Sequence, residues 1–322
     1  MQENDDVGFD YEVVIVGGGP AGLSAALVLG RARRRVLVCD VGEPRNAPSP
    51  AAHSFFTRDG APPAELLRVG REQLRPYDTV ELRDARVIAA GPNRGGVPGF
   101  GVTLDGGRRV SCRHLILATG LVDDLPAIPG LRELWGTSVL HCPYCHGWEA
   151  RDEPFGLLGN GAEAVHFAKI LLGWSRDLVV CTNGPADLSP EDRAWMKANG
   201  VAVRDERVAA LEADAAGRLE AVTFDRGEPL PRRALFVRAP LRQRSPLPQM
   251  LGCTFLQDPP YKGLVRVDET GYAGVEGLYV VGDASRGFAQ ISTAVYEGAA
   301  AATSINNGLL LAGVLPAATR RR

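Results

Sequence analysis

Two glycine-rich turns, each set between a β-branched apolar run and a helical pattern, constrain this chain more than any other feature. The first, Gly17-Gly18-Gly19-Pro20-Ala21-Gly22, follows Tyr11-Glu12-Val13-Val14-Ile15-Val16 and runs into Leu23-Ser24-Ala25-Ala26-Leu27-Val28-Leu29. Val36-Leu37-Val38-Cys39-Asp40 then reads as a second strand. Strand, turn, helix and strand together span about 30 residues, the length of a dinucleotide-binding βαβ unit. In such a unit the first glycine makes the tight turn, the second lets the backbone approach a pyrophosphate, and the third lets helix pack on strand. The helix start offers amide donors and a positive dipole end to the phosphate. Gly17, Gly19, Pro20, Ala21 and Gly22 are therefore candidate cofactor residues, and Asp40, at the end of the second strand, is placed to accept from ribose hydroxyls.

The second turn, Gly159-Asn160-Gly161-Ala162-Glu163-Ala164, follows Phe155-Gly156-Leu157-Leu158 and precedes a helical pattern over 165–172 and a strand at 177–181. Between the two units, His114-Leu115-Ile116-Leu117 reads as a strand ending in Ala118-Thr119-Gly120. A small-residue turn at a strand's carboxyl end suits close approach by a cofactor, which makes Thr119 and Gly120 further candidates. Residues 124–130, with Pro126 and Pro129, read as a crossover. Strands at 219–224 and 234–237 complete the second unit, and an Arg- and Pro-rich stretch at 241–248 leads back. Gly277-Leu278-Tyr279-Val280-Val281-Gly282-Asp283 is then a strand entering a Gly-Asp turn, ahead of an alanine-rich helix over 291–306. The expected fold is α/β, with two Rossmann-like domains and the second inserted into the first. Residues 1–121 and 245–322 form the discontinuous domain and residues 122–244 the inserted one.

The inserted domain carries Cys142-Pro143-Tyr144-Cys145, flanked by His141 and His146. Six cysteines in 322 residues are too sparse for a disulfide scaffold. In a reducing compartment such a pair reads as redox-active or metal-binding. Zinc asks for more ligands than this compact run supplies, and no metal is expected. The literal C-x-x-C-H run also matches covalent haem attachment, which the surrounding α/β pattern disfavours. Cys39, Cys112, Cys181 and Cys253 read as apolar core positions. A net charge of −2 gives no reason to expect nucleic acid or a membrane as partner. No apolar stretch reaches the about 18 residues of a membrane span, the nearest being 308–318. The opening stretch MQENDDVGFDYE lacks the basic and apolar regions of a signal peptide, so a cytoplasmic location is expected.

Nearly the whole chain resembles the low-molecular-weight thioredoxin reductase family of FAD/disulfide oxidoreductases. The resemblance rests on the first glycine turn, Ala118-Thr119-Gly120, the inserted C-x-x-C, the second glycine turn, and Gly282-Asp283 with Gln290-Ile291-Ser292-Thr293-Ala294. It implies three-layer ββα domains that bind FAD and NAD(P), and a homodimer. It also implies that Gly282 and Asp283 meet the ribityl and phosphate region of FAD, and that the helix start at Gln290 and Ile291 points toward the isoalloxazine ring. A helix dipole there favours the anionic reduced flavin. His53, in Ala51-Ala52-His53-Ser54-Phe55-Phe56, occupies the family's loop near the flavin.

Two departures bear on function. Thioredoxin reductases carry an aspartate after the second cysteine as proton donor, where this chain has His146. They also carry a basic run after the second domain's second strand, which binds the 2′-phosphate of NADPH. Here that place reads Cys181-Thr182-Asn183-Gly184-Pro185-Ala186-Asp187-Leu188, with no Arg or Lys before Glu191, and Asp187 would repel a phosphate. The run Cys142-Pro143-Tyr144-Cys145-His146-Gly147-Trp148-Glu149 is instead similar to a branch that includes the dithiol oxidases of gliotoxin and holomycin biosynthesis. Those enzymes close a disulfide within a small dithiol natural product. By this resemblance Cys142 is the sulfur attacked by a substrate thiolate, Cys145 faces the flavin, and electrons pass to FAD and then O2. Histidine titrates near neutrality, so His146 suits taking protons from the thiols. The role of His141 stays open. Tyr144 and Trp148 read as packing residues, with Pro143 setting the turn. Two other functions compete: an NAD(P)H-dependent reductase acting on thioredoxin or a related protein, supported by Gly159, Gly161 and Ala164, and a flavin-binding redox sensor.

Overall fold

The structure is a computed structural model that describes residues 8–93 and 98–312. The first seven residues of the acidic opening stretch, and the part of the apolar run 308–318 past residue 312, lie outside the described residues. Contacts divide the chain into two units.

Unit 1 comprises residues 1–45, 64–122 and 241–322. Its seven-stranded sheet runs Val80–Asp84, Val36–Asp40, Tyr11–Val16, Arg109–Leu117, Phe100–Leu104, Val87–Pro92, and Leu278–Val280 pairs with the carboxyl half of Arg109–Leu117. The first four strands and Leu278–Val280 are parallel; Phe100–Leu104 and Val87–Pro92 turn back as an antiparallel meander. Strand side chains alternate between faces, so one sheet serves two cores. Val14 and Val16 face the meander with Val102, Val110 and Leu117. Val13 and Ile15 face the helices Pro20–Arg31 and Ile291–Ala312, against Leu23, Leu29, Ala301 and Ile305. The two helices touch at backbone distance, because a Cβ on Gly298 would stand 2.0 Å from the Ala21 carbonyl oxygen.

Unit 2 comprises residues 46–63 and 123–240. It repeats the plan with a five-stranded parallel sheet, Ala202–Arg204, Leu178–Cys181, Phe155–Leu158, Ala234–Val237, Val139–Leu140, and an antiparallel meander of Val208–Ala213, Leu219–Phe224 and Leu230–Pro231. Phe155, Leu157 and Val180 pack against Val165, Phe167 and Ala168 of the helix Gly161–Leu171. Leu158, Val179 and Cys181 face Leu211, Leu219 and Val222. The expected α/β, three-layer ββα architecture is therefore present twice.

The unit limits differ from the sequence expectation at one place that matters. Residues 46–63, which the sequence assigns to the first domain, cluster with unit 2, and the main crossings fall at 122/123 and 240/241 rather than 121/122 and 244/245. Cys39, Cys112, Cys181 and Cys253 are all buried and free. Burial pushes their thiols up, to about 11 for Cys39 and Cys253 and about 12 for Cys112 and Cys181. Among the described residues no helix is long and apolar enough to cross a membrane.

Candidate active site

Parallel register builds one candidate site, in unit 1. Val16 lies beside Cys39 and Leu117, and Leu117 beside Val280. The turns after these strands consequently open side by side at the carboxyl edge of the sheet, where ligands sit in open α/β folds. They carry Gly17 to Gly22, Asp40, Thr119 with Gly120, and Gly282 with Asp283. Gly17 has φ +107, and a Cβ there would stand 2.3 Å from the Ala118 carbonyl oxygen; a Cβ on Gly22 would stand 1.9 Å from the Gly17 oxygen. The chain's own packing therefore requires glycine at both. Gly19 is different, because a Cβ there would meet nothing within 4 Å. It is the N-cap of Pro20–Arg31 with no side-chain cap, so the first-turn amides keep their donors for a ligand. The Thr119 hydroxyl is buried without a hydrogen-bond partner among the described residues. An open cradle, free amides and an orphaned hydroxyl fit a dinucleotide cofactor.

Three residues that the sequence does not single out complete this edge. Arg71 pairs with the Asp40 carboxylate, which lies over Gly18 at 2.8 Å from where a Cβ would stand. Arg45 donates from Nη1 to Asp283 Oδ2 at 3.0 Å. Glu297 is buried, and it accepts from the Gly282 amide and from Arg286 Nε, each at 2.7 Å. Burial raises the Glu297 pKa above the ordinary carboxylate value, against the pull of those two donors. Gln290 opens the long C-terminal helix, accepting from the Ala294 amide at 3.0 Å, and Ile291 is its first residue.

Unit 2 carries a candidate site of its own. Cys142 and Cys145 form a disulfide across the single helical turn Pro143–His146, with Cα atoms 5.3 Å apart. Proline at the first helical position needs no amide partner and presets φ, so Pro143 does set this turn. The turn sits against Trp174: a Cβ on Gly147 would stand 2.8 Å from the Trp174 ring, and the Tyr144 ring meets that indole edge-on at 5.2 Å. Tyr144 is nonetheless 58% exposed and Trp148 67%. The Trp148 face carries the Arg151 guanidinium at 4.0 Å.

Segment 46–63 supplies the partners of His146. His146 Nε2 lies 2.8 Å from Ser49 Oγ. The His53 and His146 rings are edge to face at 6.3 Å, and His53 reaches Glu149 at 3.5 Å and Asp59 at 3.6 Å. The contacts of His53 are thus with side chains around the disulfide. Burial lowers the His146 pKa, and the charge of His53 lowers it further; Glu149 and a hydrogen bond to the Ala51 backbone oppose both. The group is held neutral near neutral pH, as a proton acceptor must be. His141 stacks on Trp135 at 5.8 Å.

The second glycine turn differs from the first. Asn160 caps the helix Gly161–Leu171, its Oδ1 accepting from Gly161 N at 2.9 Å and Asp187 N at 2.8 Å, and its Nδ2 donating to the Pro185 carbonyl at 2.9 Å. The loop after Leu178–Cys181 is thereby fastened over the helix start. Asp187 Oδ2 comes within 3.9 Å of the Cβ position of Gly161. Arg193, beyond the run searched in the sequence, donates to the Ala186 carbonyl at 2.9 Å.

Two dinucleotide-type units, an open glycine cradle in one and a C-x-x-C disulfide in the other, define a thiol–disulfide oxidoreductase. The chain belongs to the pyridine nucleotide-disulphide oxidoreductase family, which it matches over residues 11–298. The resemblance to thioredoxin reductases is borne out. The chain is 31% identical to the probable thioredoxin reductase of Arthroderma benhamiae, over 92% of this chain and 80% of that one. It is 32% identical to thioredoxin reductase tcpT of Claviceps purpurea, over 93% of this chain and 94% of that one. Among solved structures, HlmI superimposes with a TM-score of 0.87 at 38% identity, covering 96% of each chain.

Proposed function

We propose that this protein is an FAD-dependent dithiol oxidase that closes a disulfide within a small-molecule dithiol, with O2 as the final acceptor. The observation that carries the reading is the contrast between its two glycine turns. A Cβ on Gly19 would meet nothing within 4 Å, whereas Asn160 binds Pro185 and Asp187 beside the second helix start and brings the Asp187 carboxylate to 3.9 Å from the Cβ position of Gly161, a charge that would oppose a phosphate there. Electrons are thus expected to enter from the thiol side rather than from a nicotinamide. Gly17, Gly19, Pro20, Ala21, Gly22, Asp40, Thr119, Gly120, Gly282, Asp283, Gln290 and Ile291 would hold the FAD.

A substrate thiolate attacks Cys142 Sγ, the Cys142–Cys145 bond breaks, and a mixed disulfide forms with Cys145 left as thiolate. The second substrate thiol gives its proton to His146 and attacks the substrate sulfur of the mixed disulfide. The product disulfide leaves, and Cys142 departs as thiolate. His53, with Glu149 and Asp59 beyond it, offers the released protons a path outward. FAD held by those residues would supply a two-electron acceptor for the cysteine pair with O2 as the terminal acceptor, so that turnover would balance as dithiol plus O2 to disulfide plus hydrogen peroxide.

The likeness to fungal thioredoxin reductases favours a second reading, an NAD(P)H-dependent disulfide reductase acting on a thioredoxin-like protein. One anaerobic experiment separates the two. The oxidised holoprotein is mixed with a small dithiol, with NADPH and with NADH, and the visible flavin absorbance is followed. Bleaching by the dithiol alone, with peroxide appearing when air is admitted, is the expected result. Rapid bleaching by either nicotinamide would overturn the oxidase reading.

A further inference from the structure

Ser49 stands at the meeting of two short contacts. Its hydroxyl oxygen is 2.7 Å from the Ala51 carbonyl oxygen and 2.8 Å from His146 Nε2. Two oxygens approach to 2.7 Å only with a hydrogen between them, and a carbonyl has none to give. The single serine proton is therefore committed to Ala51, and Ser49 Oγ can only accept from the ring. That requires the proton of neutral His146 to be on Nε2. The other nitrogen, Nδ1, is buried with no hydrogen-bond partner among the described residues.

We propose that Ser49 is a positioning residue which fixes His146 as the Nε2–H tautomer, so that Nδ1 is the nitrogen that takes protons from the thiols. The role of Nδ1 rests on the dithiol-oxidase reading; the tautomer does not. A histidine in the wrong tautomer presents a donor where the reaction needs a lone pair, and the loss is large even when the geometry survives.

The local sequence holds Ser49 for this task. It lies in Ala47-Pro48-Ser49-Pro50-Ala51, where one proline fixes its own φ and the next restricts the serine before it. The Ser49 amide donates to the Asn46 carbonyl at 3.0 Å. Gly136, at φ +84, lets the segment pass: a Cβ there would stand 2.8 Å from Pro48 Cβ and 3.2 Å from Ser49 N. The charged and titratable groups around the ring are His53 and Glu149, with Asp59 behind His53 and the two cysteines on the same helical turn.

The test is histidine-ring 15N NMR on the full-length, flavin-loaded protein, with His146→Gln used to assign the His146 signals among the five histidines. Wild type is expected to show Nε2 protonated and Nδ1 bare. Ser49→Ala should mix the tautomers and lower kcat for dithiothreitol by about tenfold or more, the size of loss seen when a metal-bound histidine loses the partner of its other ring nitrogen. Ser49→Thr, which keeps the hydroxyl, should restore both. A wild-type ring protonated on Nδ1 would overturn the proposal, as would an unchanged tautomer in Ser49→Ala. If Ser49→Ala does not fold, the wild-type spectrum decides the tautomer alone. An Nε2–H ring in a protein that oxidises no dithiol would overturn the oxidase reading while supporting the hold of Ser49 on the ring.

Discussion

The two glycine turns of this chain follow the same plan of strand, turn and helix, and they differ in how the helix start is met. In unit 1 the helix start at Pro20 is left without a side-chain cap, and a Cβ on Gly19 would meet nothing within 4 Å among the described residues. In unit 2 the helix start at Gly161 is capped by Asn160, which also binds the loop ending at Asp187. A helix N-terminus must find acceptors from somewhere. Where the chain supplies no side-chain cap, a bound phosphate is the natural partner; at the second helix start the Asn160 side chain already accepts from the Gly161 amide and holds the loop that carries Asp187. On the proposed function the same local fold binds a cofactor in one unit and serves as a structural joint in the other, and the residues that decide it are few.

The strongest way to break this comparison is Gly17→Ala. The substitution asks a Cβ to occupy φ +107 and to sit 2.3 Å from the Ala118 oxygen. The strain and the displaced backbone are expected to cost about 2–4 kcal/mol. A large fall in Tm should accompany loss of flavin from the purified protein, measured by thermal melting and the visible absorbance ratio. A variant that melts like wild type with full flavin would show that the first turn is not held as described. The change is confined to unit 1, so unit 2 should keep its disulfide, scored by thiol counting.

Asn160→Ala probes the other turn and is expected to cost less, about 1–2 kcal/mol, because the freed amides are near solvent and water replaces the lost cap. Its value lies in what it releases. Combined with Asp187→Ala it should unfasten the loop and raise NADH binding above that of wild type, read by calorimetry. If wild type already binds NADH, the contrast between the turns collapses. If the double variant binds none, some other feature closes the second cradle.

How much of this was visible in the sequence follows from how local each signal is. The strand–turn–helix units and the Gly-Asp turn lie within short windows, and their boundaries fall close to those expected: Tyr11–Val16, Val36–Asp40, Phe155–Leu158 and Leu219–Phe224 are found as strands. The meander strand Phe100–Leu104 alternates buried and half-buried residues along its length, and that period of two was available to find it. Arg45, Arg71 and Glu297 carry no such mark, since Arg45 meets Asp283 across 238 positions. Segment 46–63 is the instructive miss. Its Pro, Ala and Ser composition reads only as loop, and nothing local indicates that Ser49 would meet a histidine 97 positions onward. His53 was chosen from its motif, but its neighbours Glu149 and Asp59 came only with the fold.

The smallest expected effect sharpens the comparison on the thiol side, where neighbours shift a proton affinity instead of filling a cradle. Proton transfer from a thiol needs neutral His146, so the acid limb of the pH–rate profile follows its pKa. Burial and His53 both lower that pKa, which places the limb below the ordinary histidine value of about 6.5. His53→Gln removes a like charge, so the His146 pKa should rise and the limb move to higher pH. Glu149→Gln removes an opposite charge, so the limb should move to lower pH. The rings stand 6.3 Å apart near the surface, and screening holds each shift under about one unit. Dithiol oxidation measured from about pH 5 to 8 in the three proteins checks the pair. Shifts in opposite directions identify His146 as the titrating group; shifts in one direction, or none, would mean that a different residue sets the acid limb.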